Sequence, residues 1–185
     1  MFNFMKYKIK PLLEENAKDA AMLYAYCSRY DDYFTKKFGV DSVELEILQK
    51  FSPDVMNAIK FGNSYGCFHK NKLVGYIFAF NVADWRNNHI QEFQRIFGED
   101  DNFIKTVTET VTKEKEDLMY IFAIGVQEEY RCNGIATELV KQFVNMYGKD
   151  FVIISDATHT HAMPMWLKNR FVEQIINDVK MVKRC

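Results

Sequence analysis

An α/β domain whose sheet mixes antiparallel hairpins with one parallel βαβ unit is the fold class this sequence predicts, on three observations. Residues 118–126, Leu-Met-Tyr-Ile-Phe-Ala-Ile-Gly-Val, form an uncharged run rich in β-branched and aromatic residues, as a strand buried on both faces requires. Behind it, Ile135, Ala136, Leu139, Val140, Phe143 and Val144 recur at helical spacing, with Thr137, Glu138, Lys141, Gln142 and Asn145 on the other side, and a second apolar run follows at 151–155. Strand, helix and strand in that order pair the two strands in parallel through a right-handed crossover. Two further pairs of β-rich segments flank the two-residue polar turns Lys70-Asn71 and Asn177-Asp178, the pattern of an antiparallel hairpin.

From the amino terminus, residues 6–12 alternate enough for a first strand, with Pro11 tolerated near an edge, and 14–29 read as a helix carrying Ala17, Ala21, Leu23, Tyr24 and Cys27. Residues 41–44 offer a cap for a helix through Lys50. Ser52 and Pro53 then restart another, Ser as N-cap and Pro at the first helical position, running to about Phe61. Residues 64–69 and 72–81 make the first hairpin, the second strand nearly all apolar. Residues 84–97 predict a helix ending at Gly98; 101–117, with Phe103, Val107 and Val111 aligned, read as helix rather than as a Thr-rich strand. Gly148 is a natural stop for the helix that follows the long strand. Residues 163–169 form a short helix, and 171–176 with 179–183 the closing hairpin.

With 185 residues, 48% hydrophobic and 15% aromatic, the chain buries one sizeable core, so residues 1–185 are expected to be a single domain. A net charge of −1 leaves no basic field of the kind that attracts nucleic acid or an anionic membrane, and partners are expected to be small. No apolar run approaches the length of a membrane span and the first residues lack a signal-peptide core, so a cytoplasmic location is expected. Cys27, Cys67, Cys132 and Cys185 are scattered without metal-ligand spacing, which suits reduced thiols.

Between the long strand and its helix stands Arg131-Cys132-Asn133-Gly134-Ile135-Ala136. A strand that enters a tight turn and then a helix leaves backbone N–H groups pointing outward at the positive end of the helix dipole, where an anion is stabilised. Gly134 lacks a Cβ and lets a phosphate approach the backbone, and Arg131 supplies a cation nearby. These features predict a pyrophosphate cradle. An ordinary βα connection with a turn glycine is the alternative.

The string Arg131-x-x-Gly134-x-Ala136, placed between a buried strand and a helix, resembles the signature of the GNAT superfamily of acyl-CoA-dependent N-acetyltransferases, Gln/Arg-x-x-Gly-x-Gly/Ala. A looser likeness follows downstream, where the family often has Asn-x-x-Ala, a Tyr and then Gly-Phe: Ala162 and Phe171 agree, while His159, Trp166 and Arg170 replace the Asn, Tyr and Gly. The resemblance implies a mixed, mostly antiparallel central sheet with the parallel pair splayed around an acyl-CoA, and helices on both faces. It also implies a monomer or homodimer that moves an acetyl group from acetyl-CoA to a small-molecule or peptide amine by direct attack in a ternary complex. The pyrophosphate would lie on the amides of Arg131, Cys132, Asn133, Gly134, Ile135 and Ala136. Pantetheine would run along Ile124, Gly125 and Val126, and a backbone N–H near Val126 would polarise the thioester carbonyl.

Direct transfer needs a neutral amine, and no side chain is an obvious base for its proton. Tyr120 stands where some family members place a Glu, and its alternative reading is a packing aromatic. His159 and His161 follow the fifth strand with a suitable imidazole; His159, in place of the family Asn, reads as a cofactor contact or as a plain loop residue. His159, His161 and Asp156 offer a metal site as a minor alternative, since a lone His-x-His is unspecific, and no metal is expected. Trp166 stands for the Tyr that protonates the departing thiolate; indole cannot do this, so Trp166 walls the pocket or packs in the core. Cys132, at a helix N-terminus, raises a covalent acyl-cysteine route as a minor alternative. Tyr24, Tyr26, Tyr30, Asp31, Asp32, Tyr33 and Phe34 either border a cationic acceptor or form a solvated helix end. Two rival functions stand beside the enzyme. One is a non-catalytic acyl-CoA-binding module; the other is an unrelated nucleotide-binding fold, for which neither Gly-x-Gly-x-x-Gly nor Gly-Lys-Ser/Thr is present.

Overall fold

The elements are, in chain order, β1 (Lys8–Pro11), α1 (Ala17–Ser28), α2 (Leu45–Leu48), α3 (Ser52–Lys60), β2 (Tyr65–His69), β3 (Lys72–Asn81), β4 (Leu118–Val126), α4 (Ile135–Tyr147), β5 (Val152–Asp156), α5 (Met163–Lys168), β6 (Val172–Ile176) and β7 (Val179–Arg184). They come from a computed structural model that describes residues 7–30, 35–36, 39–60, 63–81, 102, 105–106, 109, 118–156 and 162–184. The strands form a seven-stranded open sheet in the order β1-β2-β3-β4-β5-β7-β6, mostly antiparallel, with β4 and β5 parallel. By contact the chain divides into Met1–Phe78 with Ala123–Lys141, and Ala79–Phe122 with Gln142–Cys185.

In the first unit β1 is outermost and pairs antiparallel with β2, from Lys8↔Phe68 to Pro11↔Tyr65, so Pro11 lies on an edge strand that tolerates its missing N–H. The β2–β3 turn holds Lys70 at φ 46° and Asn71 at φ 69°, two left-handed residues in succession, as a type I′ hairpin demands. Along β3 side chains alternate between faces. Tyr76 and Phe78 stack at 4.4 Å and meet Tyr24 of α1 at 6.2 and 6.3 Å. Gly75, on the other face, lets Ile135 and Leu139 of α4 settle close, for an added Cβ would lie 3.1 Å from Ile135 and 3.5 Å from Leu139. Helices therefore cover both faces of β3. Ser64, fully buried at the end of the connection from α3, donates to the Ala58 carbonyl at 2.9 Å.

In the second unit β5 pairs with β7 from Ile153↔Arg184 to Asp156↔Met181, and β7 carries the edge strand β6 across a turn with Asn177 at φ 48° and Asp178 at φ 65°. Asn177 also receives a hydrogen bond from Asn102 on its carbonyl and donates to Thr106, at 3.0 and 3.4 Å. Asn102, Lys105, Thr106 and Glu109 are helical, in keeping with the helix read over 101–117. Phe143, Tyr147 and Phe151 line up at 4.7 and 6.2 Å, and Trp166 packs on Phe171 at 4.9 Å. Gly148 does follow the end of α4, but close packing is the reason rather than a left-handed turn. Its φ is not positive, and an added Cβ would sit 2.6 Å from the Val144 carbonyl oxygen and 2.7 Å from the Arg184 guanidinium.

Several boundaries differ from the sequence expectation. Residues 14–16 form a 3₁₀ turn because the Asn16 amide oxygen folds back to accept the Leu13 N–H at 3.0 Å, and regular helix starts only at Ala17. The helix expected through Lys50 is α2 followed by a 3₁₀ turn over Gln49–Phe51. That turn runs straight into α3, so Ser52 is the first helical residue rather than a cap before it. The fifth strand is shifted one residue, to Val152–Asp156, since Asp156 still pairs with Met181. Residues 84–97, and the ends of several elements such as Lys6 and Phe61, lie outside the described residues.

Candidate functional site

The parallel ladder between β4 and β5 is short. It covers Leu118↔Val152 to Ile121↔Ser155, and Asp156, though still paired with Met181 of β7, has no register partner on β4. β4 continues as strand through Phe122 to Val126, and its burial changes where the ladder stops: Leu118 to Ile121 are buried, Phe122 to Gly125 half-buried. A backbone that leaves its neighbour while staying extended presents polar groups to whatever lies beside it. Ile124, Gly125 and Val126, expected to carry an extended amide arm, are at this end of the strand.

Beyond β4 the chain makes a 3₁₀ turn over Glu128–Tyr130, held by Tyr130 N–H to the Gln127 carbonyl at 2.9 Å, and then turns through Arg131, Cys132, Asn133 and Gly134 into α4. Cys132 at φ 61° and Gly134 at φ 78° are left-handed, which lets the loop reverse. Residues 131–134 are exposed, and Ile135 is buried as the first knob of the apolar stripe. Glu138 N–H reaches the Gly134 carbonyl at 3.0 Å, so the loop residues lead into the first turn, the positive end, of a 13-residue helix. An added Cβ at Gly134 would meet no atom within 4 Å. Open space above the glycine, the positive end of the helix and the half-buried strand suit an anion with an extended arm, so these residues fit the expected pyrophosphate and pantetheine. Asn133 braces the loop by donating to the Tyr130 and Arg131 carbonyls at 3.2 and 3.0 Å.

The Arg131 side chain turns inward. Its Nε donates to the Val126 carbonyl at 3.1 Å, and its guanidinium and the Tyr76 hydroxyl both hydrogen-bond the part-buried Cys27 thiol of α1. Burial pushes that thiol up to about 11, with the neighbouring Arg131, the Tyr76 hydroxyl and Arg29 pulling the other way. Tyr76 also fills the space over Gly125, where an added Cβ would lie 2.5 Å from its hydroxyl. A side chain at 125 is thus excluded by a buried ring. The Arg131 guanidinium locks strand end and loop together, where the sequence suggested a nearby cation for the anion.

Other expected residues fall as follows. Tyr120 is 2% exposed, in register with Ile154, which suits the packing reading. Trp166 is 1% exposed against Phe171, the core alternative of its two readings. Cys132 is exposed in the loop. Tyr26 and Tyr30, expected to border a cationic acceptor, already hold the Arg29 guanidinium over their rings at 4.4 and 4.5 Å, and Tyr26 donates to Glu128 at 3.4 Å. His159, His161 and the neighbours Asp31, Asp32, Tyr33 and Phe34 lie outside the described residues. Among the described residues no three His, Cys, Asp or Glu side chains gather as metal ligands, and no helix is long and apolar enough to cross a membrane.

Sequence reading missed Ser155, Tyr76 and the partner of Cys27. The available signal was Ser155 itself, a hydroxyl after Val-Ile-Ile in a buried strand, which must find a partner.

The family model described as Acetyltransferase (GNAT) family matches residues 23–170. Among solved structures, a polyamine N-acetyltransferase of Drosophila melanogaster superposes with a TM-score of 0.73 at 9% identity, covering 97% of this chain and 99% of that one. A mosquito arylalkylamine N-acetyltransferase-like protein gives 0.70 at 10% identity, over 97% and 99%. The PaiA N-acetyltransferase of Thermoplasma acidophilum, solved with coenzyme A, gives 0.62 at 11% identity, over 97% and 99%. No curated protein matches.

Proposed function

The chain belongs to the GNAT family of acetyltransferases, and from that premise we propose that it moves an acetyl group from acetyl-CoA to a primary amine in a ternary complex. The observation that carries this reading is the strand end, loop and helix from Phe122 to Ala136, where a half-buried strand leads through an open, left-handed glycine into the start of a 13-residue helix. Acetyl-CoA supplies an activated acyl group whose thiolate, with a thiol pKa near about 8.5, departs without a dedicated acid. The Arg131 N–H is taken by the Glu128 carbonyl at 3.1 Å, so the amides of Cys132 to Ala136 are left to hold the pyrophosphate, while the backbone of Ile124 to Val126 orients the arm and an N–H near Val126 polarises the carbonyl. Arg131 and Asn133 keep that loop rigid. An alkylammonium titrates near about 10.4, so its proton leaves to water, or to His159 or His161 as the sequence suggests. Neighbours named for polyamine and arylalkylamine acetylation support an amine as acceptor.

One observation favours a second reading, a CoA-binding module without catalysis: Tyr120 and Trp166, at positions where relatives place acid–base groups, are both buried. Thiol release from acetyl-CoA, followed across polyamines, arylalkylamines and peptide amines beside a binding titration, separates the two. Turnover with any amine supports the enzyme; tight CoA binding with none supports the module. Binding of ATP or NAD without CoA sinks both.

A further inference from the structure

The last rung of the parallel ladder carries a polar group that the chemistry above does not use. Ser155 is 3% exposed, and its hydroxyl donates to the carbonyl of Ile121, its register partner on β4, at 2.9 Å. Immediately beyond, Asp156 keeps its pairing to Met181 of β7 and has left the β4 register, while Phe122 opens the half-buried part of β4. A buried hydroxyl between two strands satisfies a carbonyl through a side chain, and a carbonyl so satisfied has less need of a further backbone N–H from the neighbouring strand. The hydroxyl stands at the point where pairing ends.

We infer that Ser155 is a positioning residue: its hydroxyl ends the β4–β5 ladder after Ile121 and so sets where the open backbone of β4 begins. If the pantetheine arm lies along that backbone, as proposed above, Ser155 governs the affinity for the arm without touching it. Removing the hydroxyl takes away a buried donor to the Ile121 carbonyl. A further backbone rung from β5 in its place would carry the end of the ladder past Ile121, toward the stretch on which the arm is proposed to lie.

The test uses the whole chain with CoA and with adenosine 3′-phosphate 5′-diphosphate, which is CoA without its pantetheine arm. Calorimetric titration of Ser155→Ala is expected to show CoA bound about tenfold more weakly, the equivalent of one buried hydrogen bond, and the arm-less nucleotide bound within about twofold of wild type. Ser155→Thr, which keeps the hydroxyl, restores CoA affinity. Ser155→Cys, similar in size with a weak donor, falls between and serves if the alanine variant does not fold. Unchanged CoA affinity in the alanine or cysteine variant overturns the inference while leaving the donor reading intact. So does an equal loss for both ligands, since that is what general loosening of the fold produces. Wild-type protein that binds neither ligand overturns the donor reading, and this one with it.

Discussion

Replacing Gly134 by alanine tests the cradle with a control built into the chain. Gly134 and Gly39 share a left-handed backbone, at φ 78° and 65°, and an added Cβ at either would meet no protein atom within 4 Å. Gly39 lies in a turn closed by Val40 N–H to the Thr35 carbonyl at 3.0 Å and is not part of the loop that opens α4. Each substitution therefore imposes the same backbone penalty, about 1–2 kcal/mol, and lowers the melting temperature by about 2–8 °C for a chain of this size. Only at Gly134 does the new methyl stand where an anion must come within hydrogen-bonding distance of the backbone. Losing one charge-assisted hydrogen bond is worth about 1.5–3 kcal/mol, so the CoA dissociation constant should rise about 10- to 150-fold in Gly134→Ala and stay unchanged in Gly39→Ala. Thermal melts and calorimetric CoA titrations on both variants supply the two readouts. Equal melting shifts with wild-type CoA affinity in Gly134→Ala would refute the assignment of the anion to this glycine.

Two further outcomes follow from the packing behind the loop. Cys27 and Cys67 both have thiols raised from 9.0 to about 11, chiefly by burial, so the folded chain holds their protons longer than the unfolded one. That stabilisation is complete below pH 9 and lost as pH rises from 9 toward 11; melting temperature should fall through that window, less steeply in Cys27→Ala/Cys67→Ala, and an identical slope in the double variant would count against it. Gly125→Ala drives a Cβ to 2.5 Å from the Tyr76 hydroxyl, and chemical denaturation should show a loss of about 1–3 kcal/mol, partly recovered by Tyr76→Leu; no recovery would show that the ring is not the obstacle.

How much of this was legible in advance depends on how local each signal is. Leu118–Val126 was read to the residue because one apolar run bounded by Asp117 and Gln127 carries its own limits. Both hairpin turns were legible because Lys70-Asn71 and Asn177-Asp178 are flanked by strand-forming runs, and all four residues are left-handed. The loop was legible as a likeness of sequence and as a helix start, and its open glycine agrees. The Arg131 side chain was legible only in part: its reach to Val126 is five residues, but its contact with Cys27 joins parts of the chain whose encounter only the fold determines. Tyr26 and Tyr30 illustrate the same limit, since an aromatic cluster suggests a cation without revealing that the chain's own Arg29 supplies it. A local cap hid the start of α1, where the Asn16 amide oxygen accepts the Leu13 N–H ahead of the 3₁₀ turn.

The two hairpins and the parallel pair also differ in how they come to exist. β2–β3 and β6–β7 each close over two residues, a step of about 1–10 μs, and can form as soon as their strands are synthesised. β4 meets β5 only after α4 has formed and carried the chain back, so its few rungs come with a larger loss of chain entropy and later in folding. The ladder that ends at Ser155 is thus expected to assemble late when the full-length chain refolds, so that both hairpins are in place before the Phe122–Val126 backbone is framed.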